Sequence, residues 1–398
     1  MNDDTTITQT RVLIVGAGPA GLGISLALKQ AGITDQIVVD AREVGAAFRS
    51  WPRGMSLLTP SFFSNSFGLT DLNSIDPDTS PADFLHTQHP KGVGYADYLQ
   101  AIVSHFKLPV RTGVNILSVQ ELASGFAVES SDGPIRTDYI VWAAGQFFHP
   151  RDQDFPGAEH ALHNSKVKDW AELEGDSFTI IGGYESGVDA ALNLVNLGKT
   201  VRLISKGEPW ASDHPDPSRS LSPRTLDRLR ELLQDKGKAK LINFVKDTTI
   251  KKIEKGDGFW TLRDQDDIPI GSNTRPILAN GFKSGLGLVE EFFERDKNNL
   301  PVFSEEADES TITPGIFYSG PSLVHRNALF CFIYKFRARF GVIAAEIANR
   351  LDLPDVEKNL ENYAKAGFMN TDLDCCTSCE CAIETASPDT PEPSSFEK

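Results

Sequence analysis

Short apolar runs that end in glycine-rich turns, each leading into a stretch of helical period, occur twice along the chain. Residues 11–15, RVLIV, form the first run, and its near-continuous apolar character fits a strand buried on both faces. Gly16-Ala-Gly18-Pro-Ala-Gly21 follows, then LGISLALKQAG with helical spacing up to Gly32, then the apolar strand IVVD closing on Asp40. Near the middle, SFTIIGGYESGVDAALNLVNLGKTVRLIS repeats this layout: a strand Phe178–Ile181, a glycine-rich turn, a helix ending at Gly198, and a strand Val201–Ile204. The two units start about 165 residues apart. They predict an α/β chain with two Rossmann-type nucleotide-binding domains.

The glycines have separate tasks in such a unit. Gly16 makes the tight turn, Gly18 lets main chain approach a pyrophosphate, and Gly21 lets helix and strand pack closely. The unpaired N–H groups of the helix start then face the phosphates. Asp40 stands where a carboxylate accepts hydrogen bonds from ribose hydroxyls. In the second unit Gly182, Gly183 and Gly187 supply the turn, and Tyr184 occupies the place of the middle glycine, where a side chain would crowd a pyrophosphate. Ser205 and Lys206 follow its second strand in place of an acid, a pattern that tolerates a 2′-phosphate and favours NADPH over NADH.

Charge narrows the partners. The 398 residues carry a formal net charge of −16, which argues against nucleic acid and against an anionic membrane surface. No run of about 18 apolar residues occurs to span a bilayer. The acidic, polar start MNDDTTITQT is unlike a signal peptide, so a cytoplasmic location with reduced thiols is expected. Four of the five cysteines cluster in DCCTSCEC, residues 374–381. Cys375, Cys376, Cys379 and Cys381 admit three readings: a soft-metal site for zinc, copper or an iron–sulfur cluster, a redox relay with Cys375 and Cys376 as its reactive thiols, or incidental thiols. Cys331, in ALFCFIY, reads as a small buried hydrophobe.

Two other segments hold candidates. Residues 51–98 lack regular periodicity and combine aromatics with His86 and His89, which are candidates for proton transfer. Arg326, Lys335, Arg337 and Arg339 form the most basic stretch, which is either a solvated helix face or a wall for an anionic substrate or cofactor edge.

These motifs, with the segments around them, resemble the two-dinucleotide flavoproteins, namely thioredoxin reductase and, more closely, class B flavin monooxygenases. IVVDAREVGAAFRSWP is similar to the segment in which a ribose-binding acid precedes a glycine pair and a Trp, with Asp40, Gly45, Arg49 and Trp51 in those places and Ala46 for the second glycine. DYIVWAAGQFFHP, with Ala143, Ala144 and Gly145, and PILANGF resemble the strands that close the two nucleotide-binding halves. TITPGIFYSGPSL resembles the last flavin-contacting strand, with Gly320 kept and Pro321 where the reductases have an acid. The Baeyer–Villiger fingerprint is not met, although His163 and Ser165 resemble the interdomain HxS element of the wider monooxygenase class.

The resemblance covers about residues 10–350. It implies FAD bound by residues 1–172 and 285–350 and NAD(P)H bound by an inserted domain at 173–284; beyond it the residues read as a terminal helix over 351–372 and a Cys-rich tail over 373–398. It implies a small-molecule substrate and admits a homodimer. Three functions stay open. NAD(P)H reduces FAD, which then serves O2 and a substrate; or electrons pass to the tail cysteines for thiol, disulfide or metal-ion reduction; or the chain is a metal-binding or redox-sensing flavoprotein with little turnover. In the tail, the resemblance is to mercuric reductase and the larger thioredoxin reductases, which carry adjacent terminal thiols.

Overall fold

Val12, Leu13 and Ile14 have no solvent exposure, because their strand Thr8–Val15 lies in the interior of a sheet covered on both faces. This is seen in a computed structural model of the chain, which describes residues 7–63, 69–212, 214, 216–326 and 328–373. The Cys-rich tail, with Cys375, Cys376, Cys379 and Cys381, falls outside the described residues.

Thr8–Val15 pairs in parallel with Gln36–Asp40 on one side and with Gly133–Trp142 on the other. The long strand Gly133–Trp142 divides its second edge. Its first half pairs antiparallel with Phe126–Ser130, and its last three residues pair in parallel with Ile316–Tyr318. The chain therefore leaves this sheet after Trp142 and returns to the same strand at Ile316, 140 paired with 316. Within that excursion five parallel strands form a second sheet, in the order Ile242–Val245, Thr200–Ile204, Ser177–Ile181, Ile277–Leu278, Leu162–His163. A three-stranded antiparallel sheet, Lys252–Lys255, Trp260–Arg263 and Pro269–Ser272, stands beside it. The mixed α/β architecture with parallel sheets agrees with the two periodic units of the sequence.

The helix Pro19–Gln30 packs on the first sheet, and the helix Phe340–Arg350 crosses it at Gly23, where any side chain would strike the Phe340 ring. Residues 356–365 are two short helices, Val356–Asn359 and Glu361–Lys365, separated at the fully buried Leu360, in place of one continuous terminal helix. Arg337 is buried, lies over the Phe368 ring and donates to the carbonyls of Asp71, Ser74 and Thr70, which ties the 51–98 segment to the main core.

Gly21 is a close-approach glycine, since a Cβ there would collide with the Gly16 carbonyl oxygen. Backbone cannot yield as a flexible side chain does. Gly21→Ala is expected to lower stability by about 1–3 kcal/mol, the usual cost of overpacking. A shifted denaturant midpoint at unchanged slope would register it, and an unshifted one would contradict the packing argument.

Candidate functional site

The two glycine turns have the same construction. Gly16 (φ +117) and Gly182 (φ +113) both lie in the conformation that favours glycine, and each would clash through a Cβ with a carbonyl of the neighbouring strand end, Ala143 and Ala279 respectively. The Gly16 N–H donates to Val39 at 2.7 Å, and the Gly182 N–H donates to Ile204 at 2.8 Å. The next position of the motif shows where they differ. Gly18 (φ −89, ψ −173) and Tyr184 (φ −88, ψ −166) have the same extended backbone, so this position needs no glycine for the fold. Gly18 has no atom within 4 Å of a built Cβ, whereas the exposed Tyr184 side chain reaches across to donate to the Arg219 carbonyl at 3.3 Å. The Gly183 Cα packs against the buried Ser205 side chain, and Lys206 is exposed.

One cavity of about 680 Å³ connects the two units. At one end Gly16, Gly18, Asp40, Ala144 and Gly145 line it; Trp51 and the segment Met55–Thr59 form a side wall. At the other end it reaches Asn164, Glu185, Ser186 and Asp189 of the second unit, with Pro321, Cys331 and Phe332 opposite. The Asp40 carboxylate accepts from the Ala17 and Arg42 N–H groups, both at 2.7 Å, so it fixes the first turn while facing the cavity. Gly21, Gly182, Gly183, Gly187, Ser205, Lys206 and Gly320 do not line this cavity. Arg49 also points elsewhere, with ion pairs to Asp97 at 2.9 Å and Glu43 at 3.3 Å.

The second end holds residues that sequence reasoning did not single out. Glu185 opens the helix Glu185–Asn196; its carboxylate accepts from the Ser222 N–H and, at 2.5 Å, from the Thr225 hydroxyl. Burial pushes its carboxyl above the ordinary range, against these two hydrogen bonds. Asp189, one turn further, pairs with Arg228 at 2.6 Å. Their i, i+4 spacing after the second turn was readable; their reach into the same cavity as Gly18 was not. Asn164 is 1 % exposed, lines the cavity, and leaves its Oδ1 without a partner among the described residues. His163 beside it bridges Ser165 Oγ at 2.9 Å and the Gly281 carbonyl at 3.0 Å, joining the two crossings between the sheets.

The basic stretch is neither a solvated face nor an open anion wall. Arg326 pairs with Glu305 at 2.8 Å, Lys335 with Asp216 at 2.6 Å and Arg339 with Asp308 at 2.9 Å, while Arg337 is consumed by carbonyls. Cys331 is also not a core residue. It is solvent-exposed, and its sulfur donates to Ser218 Oγ at 3.2 Å on the cavity wall. His86 caps the short helix Pro81–Leu85 away from the cavity, and His89 contacts the Leu57 carbonyl at 3.0 Å. No group of three or more potential metal ligands occurs among the described residues. No helix among them is long and apolar enough to cross a membrane.

The sequence profile of the family described as pyridine nucleotide-disulphide oxidoreductase matches residues 13–320. The bacilliredoxin reductase Bdr of Bacillus subtilis is 26% identical over 345 residues, 86% of this chain and 98% of that protein. The bacillithiol disulfide reductase Bdr (YpdA) of Staphylococcus aureus superimposes with a TM-score of 0.69 at 19% identity, covering 86% of this chain and 99% of that one. A flavin-containing monooxygenase of Stenotrophomonas maltophilia superimposes with a TM-score of 0.67 at 15% identity, covering 87% and 100%.

Proposed function

The chain belongs to the pyridine nucleotide-disulphide oxidoreductase family, whose typical cofactors are FAD and NAD(P)H, and from that premise we propose that it reduces a small disulfide held in the shared cavity. The observation that carries this reading is the continuity of the cavity, from the open Gly18 end to Glu185 and Ser186. Residues of both nucleotide-binding units thus line one continuous space. The open position at Gly18, the carboxylate of Asp40 and the unpartnered Asn164 Oδ1 suit an elongated ligand with phosphate, ribose and amide groups.

When bound, FAD supplies a centre that accepts electrons from a reduced nicotinamide and passes them to an acceptor. This chain's residues hold and shape the site. The turn Gly16–Gly21 and the helix start behind it would hold the pyrophosphate, and Asp40 the adenosine ribose. Ala144 and Gly145 bring bare main chain to the cavity, and Trp51 and Phe332 exclude water from its sides. Pro321 offers no carboxylate to a ribityl chain. Ser186 and Asn164 would orient the nicotinamide nucleotide. The disulfide acceptor is supported by the match over nearly all of a bacilliredoxin reductase.

Oxygenation of a small substrate is the second reading. Cys331 is the one cysteine among residues 1–373, so the main fold has no dithiol to mediate disulfide exchange. NADPH oxidation by the yellow protein should be slow in air alone and rise at least about tenfold when a low-molecular-weight disulfide is added without oxygen. Turnover that needs oxygen and ignores disulfides would replace the first reading by the second.

A further inference from the structure

The equivalent helices of the two units differ at their first residue. The helix Pro19–Gln30 has no acidic residue in its first turn, and Pro19 opens it; the helix Glu185–Asn196 opens with Glu185. A carboxylate facing the positive end of a helix is stabilised there. The Glu185 carboxylate itself turns to the start of the next helix, Pro223–Gln234, where the Ser222 N–H and the Thr225 hydroxyl donate to it. A dinucleotide would bring a diphosphate to the N–H groups that open the helix Glu185–Asn196, next to this carboxylate. Two anionic groups would then stand close together in the cavity wall, which Glu185 and Ser186 both line. A second observation marks this end as a ligand site: the buried Asn164 Oδ1 has no partner among the described residues and lines the same cavity.

We propose that Glu185 takes up a proton when a dinucleotide seats on the helix Glu185–Asn196 and releases it when the site empties. This rests on the reading of the second glycine turn as a nucleotide site. Like charge at close range disfavours the ionised carboxylate, and burial already pushes this group in that direction. The charged neighbours offset the added anion only in part. Asp189 is a second carboxylate, and Arg228 is committed to it at 2.6 Å. Arg224 donates to a neutral group, Ser56 Oγ at 3.2 Å, and so keeps its charge to screen part of the added anion, while His89 beside these arginines is held towards its neutral form by burial. Across the cavity Lys335 is neutralised by Asp216, next to Cys331. Since the bound state holds the proton more firmly, binding is strongest at low pH and weakens as pH rises, by up to about tenfold per unit for one proton. The Pro19 end carries no such group, so FAD affinity lacks this term.

Calorimetric titration of the FAD-loaded protein with NADP+ and NAD+, in buffers of different ionisation enthalpy, counts the protons taken up. Wild type is expected to absorb a net fraction of a proton on binding, and Glu185→Gln to absorb less and bind with a flatter pH profile. The His89, His163 and 2′-phosphate contributions are common to both proteins. Thr225→Val, which removes a donor to the anion, should move the uptake to higher pH. Equal uptake by wild type and Glu185→Gln, or an unmoved profile in Thr225→Val, would overturn the proposal and leave the nucleotide site standing. Failure of either nucleotide to bind would instead remove the site itself, and the proposal with it.

Discussion

Gly18→Asp is expected to yield a protein that folds and melts like the flavin-free wild type but is colourless. The position has extended backbone that any residue adopts, and open space where its Cβ would stand. Nothing in the fold opposes a side chain there, in contrast to Gly16 and Gly21, where added carbon meets main chain. An added carboxylate would sit where the cavity is open towards the helix start, beside any diphosphate bound there. Two unit charges about 4 Å apart repel by about 4 kcal/mol at the effective dielectric near a protein surface. At about 1.4 kcal/mol per tenfold, affinity for FAD falls by on the order of several hundredfold. Absorbance of the purified protein and its recovery with excess FAD measure this, and melting beside flavin-free wild type separates it from misfolding. A yellow, fully loaded variant would place the flavin elsewhere. Gly21→Ala is the complement, because it damages packing first and the site only as a consequence.

These two glycines also show what could be read without coordinates. Local spacing exposed both strand–turn–helix units, since a glycine-rich turn between an apolar strand and a helix is written in consecutive residues. The sheets formed around them as that spacing implied. What failed was distant pairing. Arg326, Lys335 and Arg339 look like free charge because their partners Glu305, Asp216 and Asp308 stand 21, 119 and 31 positions away. Cys331 has apolar neighbours in sequence, yet its loop faces the cavity and the Ser218 hydroxyl. Tyr184 stands on the same extended backbone as Gly18, so the fold itself accepts a side chain at this place in the motif. The role of Glu185 was hidden for the same kind of reason, since Thr225 lies 40 residues on. Position within a motif was legible; which surfaces meet across the cavity was not.

The largest loss of stability is expected from Asp308→Asn. Asp308 and Arg339 expose 0% and 1% of their side chains, and they meet at 2.9 Å; His325 Nε2 approaches the same carboxylate at 2.6 Å. Removing the charge while keeping the shape leaves the Arg339 guanidinium buried without its counter-ion, a change that costs about 3–5 kcal/mol in such pairs. Asparagine also tolerates the left-handed backbone at this position (φ +59), so the effect is electrostatic rather than conformational. The consequence reaches the site. The Asp308 carbonyl accepts from the Tyr318 N–H at 2.9 Å, and Arg339 donates to the Glu305 and Asn370 carbonyls at 2.6 and 2.8 Å, so the trio braces the loop that carries Pro321, Cys331 and Phe332 into the cavity. Flavin should therefore dissociate faster from Asp308→Asn than from wild type. Combining it with Arg339→Met removes both charges, and the pair should cost less than the sum of the two single changes, by about 0.5–3 kcal/mol. Urea unfolding in excess FAD reads all three variants. A single change costing under about 1 kcal/mol, or strict additivity in the pair, would show that the buried trio does not hold this wall.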